Sequence, residues 1–284
     1  MTQIAESLLA RHPGAVSIIV RDAETGDLLF ERSPDRPFHA ASTIKVPLLV
    51  RALQRVDEES LSLDERREMR SKDQVGGAGV LHELGPGLAL TLRDLLTLMI
   101  IVSDNTATNI VIDLLGIDDV NAFLRAQGFT VTDLVGKLQL PSERHNERQR
   151  RGERNRANAR ELCELLYRLT RGTLLSPAST ALALDILRRQ QLKDIIGRRA
   201  PRDADGELRF EIASKSGELR GVHHDVGVVR TKRPLVIAVL SDGGEDPREH
   251  PENREVVLLA EVVSVLMERF GDITPGSPSL DSIR

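Results

Sequence analysis

Strand-like patterns sit at the two ends of this sequence and helix-like patterns fill the middle, an order that leaves few folds open. Near the start, the apolar run Ala15–Val20 is followed by Glu24-Thr25-Gly26-Asp27 and then Leu28-Leu29-Phe30, which predicts a hairpin. Toward the end, Leu208–Ser214, Asp225–Arg230 and Leu235–Leu240 predict three more strands, with a turn at Lys232-Arg233-Pro234. Between them, apolar periodicity predicts helices over Ala41–Val56, Thr91–Ile101, Asn105–Leu115, Ile117–Gln127, Ala157–Thr170 and Ser176–Gln190. Glu252–Phe270 predicts a closing helix, and the glycine-rich Gly76–Gly87 and polar Gly136–Asn155 read as loops. Two early strands can pair with three late ones in one antiparallel sheet. The expected class is α+β: a single domain over residues 1–272, with a sheet lobe from 1–40 and 205–272 and a helical lobe from 41–204. Residues 273–284 read as a loose tail.

Composition narrows the function. Of 284 residues, 40% are hydrophobic but only 2% aromatic, with no Trp and one Tyr. The core must therefore be aliphatic, and stacking platforms for bases or sugars are scarce. A net charge of −4 supplies no field for nucleic acid. The Arg-rich stretch Arg144–Arg160 is interleaved with Glu147 and Glu153, which reads as a solvated, salt-bridged loop. The single cysteine, Cys163, falls in the apolar pattern Leu162, Leu165, Leu166, Leu169, so it reads as buried packing. His223 and His224 read as polar turn residues, and Asp242–Asp246 as a strand-to-helix turn, so no metal or other cofactor is expected. No run of 18 apolar residues occurs, and Met1–Arg11 has no signal-peptide pattern. The chain thus reads as a cytoplasmic monomer, without nucleic-acid or membrane partners, unless an export signal has been removed.

Three short motifs carry the chemistry: Ser42-Thr43-Ile44-Lys45, Ser103-Asp104-Asn105 and Lys215-Ser216-Gly217. An S-x-x-K alone is expected about once in a chain this long, so the weight lies in all three occurring in this order. Ser42 stands at a predicted helix start, where free N–H groups favour developing negative charge. Lys45 is one turn on, within reach of the Ser42 hydroxyl. A serine needs an adjacent base, and a lysine can be that base only if burial or a second cation lowers its pKa. Lys215, at the end of a predicted strand, can supply that second charge.

With these motifs, Gly77-Ala78-Gly79-Val80-Leu81, Leu92-Arg93-Asp94-Leu95-Leu96 and the longer run Ser103–Asn109, the sequence resembles the class A β-lactamases and related penicillin-recognising serine hydrolases over most of its length. The resemblance implies a five-stranded antiparallel sheet flanked by helices plus an all-helical lobe. It implies acylation of Ser42, an oxyanion hole from the N–H groups of Ser42 and Glu218, and proton transfer through Lys45 and Ser103. Asn105 would hold the substrate's amide side chain, while Lys215, Ser216 and Gly217 would form the wall that takes its carboxylate. The family also places a water-activating glutamate, followed closely by an asparagine, after the Ser-Asp-Asn motif. Glu143 with Asn146 is the nearest candidate, one residue short in spacing. The expected activity is a β-lactamase-type hydrolysis of a small-molecule β-lactam or acyl substrate, with slow turnover. A cytoplasmic esterase or amidase, and a protein that merely traps the acyl group, are the alternatives.

Overall fold

The computed structural model describes residues 2–248 and 251–273; of the expected tail, 274–284 lie outside them. In chain order the elements are α1 (Thr2–Leu9), β1 (Ala15–Asp22), β2 (Leu28–Arg32), β3 (Phe38–His39), α2 (Lys45–Asp57), β4 (Arg66–Glu68), β5 (Ala89–Thr91), α3 (Leu92–Ile101) and α4 (Asn105–Leu115). There follow α5 (Ile117–Ala126), α6 (Glu147–Arg150), β6 (Arg156–Ala157), α7 (Ala159–Thr170), α8 (Pro177–Arg188), β7 (Ile212–Leu219), β8 (Val222–Val229), β9 (Leu235–Asp242) and α9 (Arg254–Phe270).

The main sheet has the order β2-β1-β9-β8-β7, and every pairing in it is antiparallel. The two early and three late strands meet where β1 pairs β9 along its full length, Ala15 opposite Asp242 and Asp22 opposite Leu235. Successive side chains of a strand point to opposite faces, and β9 uses both. Leu235, Ile237 and Val239 pack with Val256, Leu259 and Val263 of α9, together with Leu8 and Leu9 of α1. Val236, Ala238 and Leu240 pack instead into the larger cluster built from α2, α3, α4 and α7. Burial on both faces explains why this strand reads as an unbroken apolar run. Each such fully buried Val, Leu or Ile contributes roughly 1.5–3 kcal/mol.

Capping fixes the helices that carry the motifs. Thr91 and Asp94 form a reciprocal capping box on α3, and the Asp104 side chain caps α4 by accepting from Ala107 N. Cys163 is fully buried, and burial pushes its thiol up to about 12. No helix among the described residues is long and apolar enough to cross a membrane.

Several elements differ from the sequence reading. The N-terminal helix α1 has only eight residues and is held by packing on α9 rather than by its own propensity. Strand β7 runs over Ile212–Leu219, so Lys215-Ser216-Gly217 lies within it rather than at its end. His223 and His224 are buried residues of β8, not of a turn. His224 accepts from Ser241 N, its other ring nitrogen lies 2.8 Å from His39 O, and burial lowers it to about 4.

Candidate active site

The three motifs converge at the edge of the sheet. Ser42 sits on a single 3-10 turn, Ala41–Ile44, that leads directly into α2. The edge strand β7 presses against this turn at Gly217. A Cβ there would lie 3.1 Å from Ser42 N and 3.2 Å from Ala41 Cβ, so a side chain would push the strand away from the nucleophile. This close approach holds β7 against the turn that carries Ser42, and the next residue, Glu218, lines the same cavity as Ser42.

Two non-glycine residues with positive φ flank the nucleophile: Ala41 at 45° and Ser103 at 56°. Such conformations cost of order 1–3 kcal/mol and persist where the surroundings fix them. At Ser103 the reward is visible. The Lys45 amine donates to Ser103 O at 2.6 Å and to Asn105 Oδ1 at 2.9 Å, and Ser103 Oγ is 3.0 Å away. The Ser42 hydroxyl is not among these partners. Lys45 is fully buried; that burial, with the Lys215 charge nearby, holds its amine well below the ordinary lysine value. A neutral amine has a lone pair, and Ser103 Oγ is the one of its three neighbours that can donate to it.

Lys215 is also fully buried, its amine donating to Ser216 O at 2.8 Å. Burial brings it down to about 7, against the pull of Asp225 and Glu218. Asp225, buried in β8 with Ile196 N donating to its Oδ2, is pushed up to about 7 by burial. Glu218 lies opposite His223 in the sheet register, and its carboxylate is 2.5 Å from His223 Nδ1. Glu218 remains partly exposed, but desolvation in the site raises its carboxyl, with His223 pulling the other way.

A cavity of about 720 Å³ opens over Ser42. Its walls include Asn105, Glu218, Leu219 and Arg220, and from the loop 136–155 come Leu138, Gln139, Leu140 and His145. That loop closes on itself at Asn155, whose side chain accepts from Val135 N and Gly136 N and donates to Gly136 O. Asn109 fixes its near side: its Nδ2 donates to Leu138 O and its Oδ1 accepts from Leu138 N, both at 2.8 Å.

Ser42, Lys45, Ser103, Asn105, Lys215, Ser216, Gly217 and Glu218 are thus brought to one place. Glu143 stands apart. It lies on an exposed 3-10 turn, Ser142–Arg144, accepts a 3.3 Å bond from the Ser142 hydroxyl, and is not part of the cavity wall. Asn146 is turned to the loop instead, capping α6 and donating to Val135 O. The residue that Asn109 seats over the cavity is Leu138, which sequence reasoning passed over. Asn109 itself, inside the quoted run Ser103–Asn109, was the signal that could have located it.

Comparison with known proteins agrees with this geometry. The model of the "Beta-lactamase enzyme family" matches residues 1–270. A β-lactamase of Rhodobacter capsulatus is 30% identical over 86% of this chain and 75% of its own. The crystal structure of a β-lactamase from Sphaerobacter thermophilus superimposes with a TM-score of 0.82 at 31% identity, covering 95% of this chain and 98% of that one. The structure of PBP-A gives 0.79 at 28% identity, covering 94% and 96%, and a mutant of it is described as an acyl-enzyme complex with penicillin G. The fold, the three motifs at one sheet edge and these matches place the chain in the beta-lactamase enzyme family.

Proposed function

We propose that this protein is a serine hydrolase acylated at Ser42 by β-lactams or chemically similar acyl donors, and that it releases the acyl group slowly. The observation that carries the first half is the buried, depressed Lys45 amine held against Ser103 one turn from Ser42. In acylation the Ser42 hydroxyl gives its proton to the neutral Lys45 amine, and Ser42 Oγ forms a bond to the carbonyl carbon. The carbonyl oxygen becomes an oxyanion between the N–H groups of Ser42 and Glu218. Collapse breaks the C–N bond, and the Ser103 hydroxyl passes a proton from Lys45 to the leaving nitrogen. Asn105 aligns the acyl side chain, and Lys215 with Ser216 receives the substrate carboxylate.

The slow release rests on the cavity wall. Among the described residues, Glu218 is the one carboxylate in it, and that carboxylate is bound to His223. No carboxylate is left there to activate the hydrolytic water, and Glu143 is outside the wall.

The test is intact mass after incubation with benzylpenicillin. The wild-type chain gains one penicillin, and Ser42→Ala gains none while keeping its melting temperature. Stoichiometric labelling of the Ala variant removes Ser42 as the nucleophile. Nitrocefin beside a p-nitrophenyl ester then separates β-lactam opening from general esterase action.

Lys215→Ala supplies a further expectation. A charge-assisted contact to the substrate carboxylate contributes roughly 1.5–3 kcal/mol, so acylation by penicillins falls by about 10- to 100-fold. A p-nitrophenyl ester, which lacks that carboxylate, loses far less. Equal losses for both substrates refute Lys215 as the anchor.

A further inference from the structure

We propose that His39 is a positioning residue for the nucleophile: its neutral imidazole fixes the backbone of Ala41, next to Ser42, and acylation slows when that ring takes up a proton. The inference rests on the acyl-enzyme reading of Ser42 and adds a second titration to it. Ala41 has a φ of 45° and opens the 3-10 turn on which Ser42 sits. A residue in such a backbone region persists only where its surroundings hold it. At Ala41 the holding group is His39: Ala41 N, the first N–H of the turn, donates to His39 Nδ1 at 3.0 Å. The next N–H along the chain is that of Ser42, one of the two proposed for the oxyanion.

The same bond settles the state of the ring. A backbone N–H can only donate, so Nδ1 is the bare nitrogen and Nε2 carries the proton. An imidazolium has hydrogens on both nitrogens, so protonation sets one N–H against another and the bond to Ala41 is lost. His39 is itself anchored from the sheet. Ser241 N donates to His224 Nδ1 at 3.1 Å, which makes Nε2 of His224 the donor to His39 O, at 2.8 Å. Two imidazoles thus strap the central strand β9 to the turn of the nucleophile. On the other side β6 pairs His39 with Arg156, and Ala40 N donates to Asn155 O at 2.8 Å. The two rings differ in what they can do. His224 is fully buried and lowered to about 4, so it stays neutral near neutral pH. His39 is half-buried and lines the cavity, where it can meet a proton. The charges around it come from several elements. Arg154 and Arg156 stand on the segment that pairs with β3; across the cavity are Lys137 and Glu218, each already paired, with His145 and Arg220. Burial and, after it, the Arg154 charge hold the His39 ring below its ordinary value of 6.5, which favours the neutral form that the bond needs.

The test compares the full chain with His39→Asn and His39→Leu, through the second-order rate constant for acylation by benzylpenicillin between pH 4.5 and pH 8. Asparagine places an oxygen where histidine has Nδ1, so it keeps an acceptor and loses the titration; leucine removes the acceptor. At pH 8 the Asn variant stays within about threefold of the wild type, and the Leu variant is about tenfold slower, the order of one net hydrogen bond. The Lys45 titration is common to the wild type and the Asn variant, so it cancels in the ratio of their rates. That ratio is flat near pH 8 and falls by about tenfold toward acid, with its midpoint below 6.5, because the charged ring is the form that lets Ala41 go. The ¹⁵N shifts of the wild-type ring read its state directly: the proton is on Nε2 at pH 8, and the ratio falls where the ring titrates. Should the Leu variant melt early, the Asn ratio and the ring shifts decide alone. A proton on Nδ1 at pH 8, an Asn variant as slow as the Leu variant, or a ratio that stays flat while the ring titrates overturns the role of His39 and leaves acylation of Ser42 standing. Failure of benzylpenicillin to label Ser42 in the wild type overturns the acyl-enzyme reading beneath it, and the ring shifts still test the bond to Ala41.

Discussion

Replacing Lys45 by Met lowers the rate of Ser42 acylation by about 10²–10⁴-fold, the usual contribution of a positioned general base. Methionine keeps the stem and volume of the buried side chain but has no lone pair that can take the serine proton. The pH profile distinguishes this role from a packing role. A base works in its deprotonated form, so a depressed pKa makes it available at lower pH. Lys45 is held well below 10.5 by burial and by the Lys215 charge, so acylation of the wild type rises with pH and levels off below the ordinary lysine range. The Met variant loses that rising limb. Lys215→Met removes the second cation, and the limb moves to higher pH because Lys45 then holds its proton more tightly. A neutral p-nitrophenyl ester is the right substrate, since Lys215 is also proposed to take the carboxylate of penicillins. Stopped-flow rates between pH 6 and pH 10 decide it. A Met variant with wild-type rate and an unchanged limb would rule Lys45 out as the base.

The parts of this site that could be read from the sequence are those where local chemistry and local structure coincide. Ser42 and Lys45 share one turn, and Ser103 and Asn105 stand at the start of a helix whose cap, Asp104, is the middle residue of the motif. The strands of the central sheet were legible where both faces are buried, as in β9. β7 was misplaced toward its start because Ser214, Lys215, Ser216 and Glu218 carry no apolar alternation, although all but Glu218 are buried. Nothing local marks β3 and β6. Each is two residues long, and their pairing comes from chain segments far apart in sequence. The loop 136–155 was hardest. Its order comes from Asn109 and Asn155 reaching into it, and its polar composition hides the fact that Leu138 and Leu140 face the cavity.

Nitrocefin presented to the wild-type chain gives a burst of about one equivalent, then a steady state about 10²–10⁴-fold slower than acylation. The reason is an asymmetry between the two steps. In the proposed mechanism the first uses Lys45, Ser103 and the backbone N–H groups of Ser42 and Glu218. The second needs a base for water, and the loop that covers the cavity presents Leu138, Gln139 and Leu140 instead. Glu143 is exposed on its own short turn, so Glu143→Gln leaves both the burst and the steady state unchanged. Leu138→Glu does the opposite. Asn109 grips the backbone N–H and C=O of residue 138, whatever its side chain, so a glutamate there enters the cavity at a fixed point. That variant raises steady-state turnover by about 10²-fold or more and shortens the life of the penicillin adduct, with little change in the burst rate. A wild-type trace that is linear from the start, with no adduct in the mass spectrum, would mean that another group activates the water. If Glu143→Gln then abolished turnover, the loop would have to move to bring that carboxylate in. If it did not, Glu218 would be the remaining carboxylate of the wall, and breaking its bond to His223 with His223→Gln would alter the rate of the second step alone.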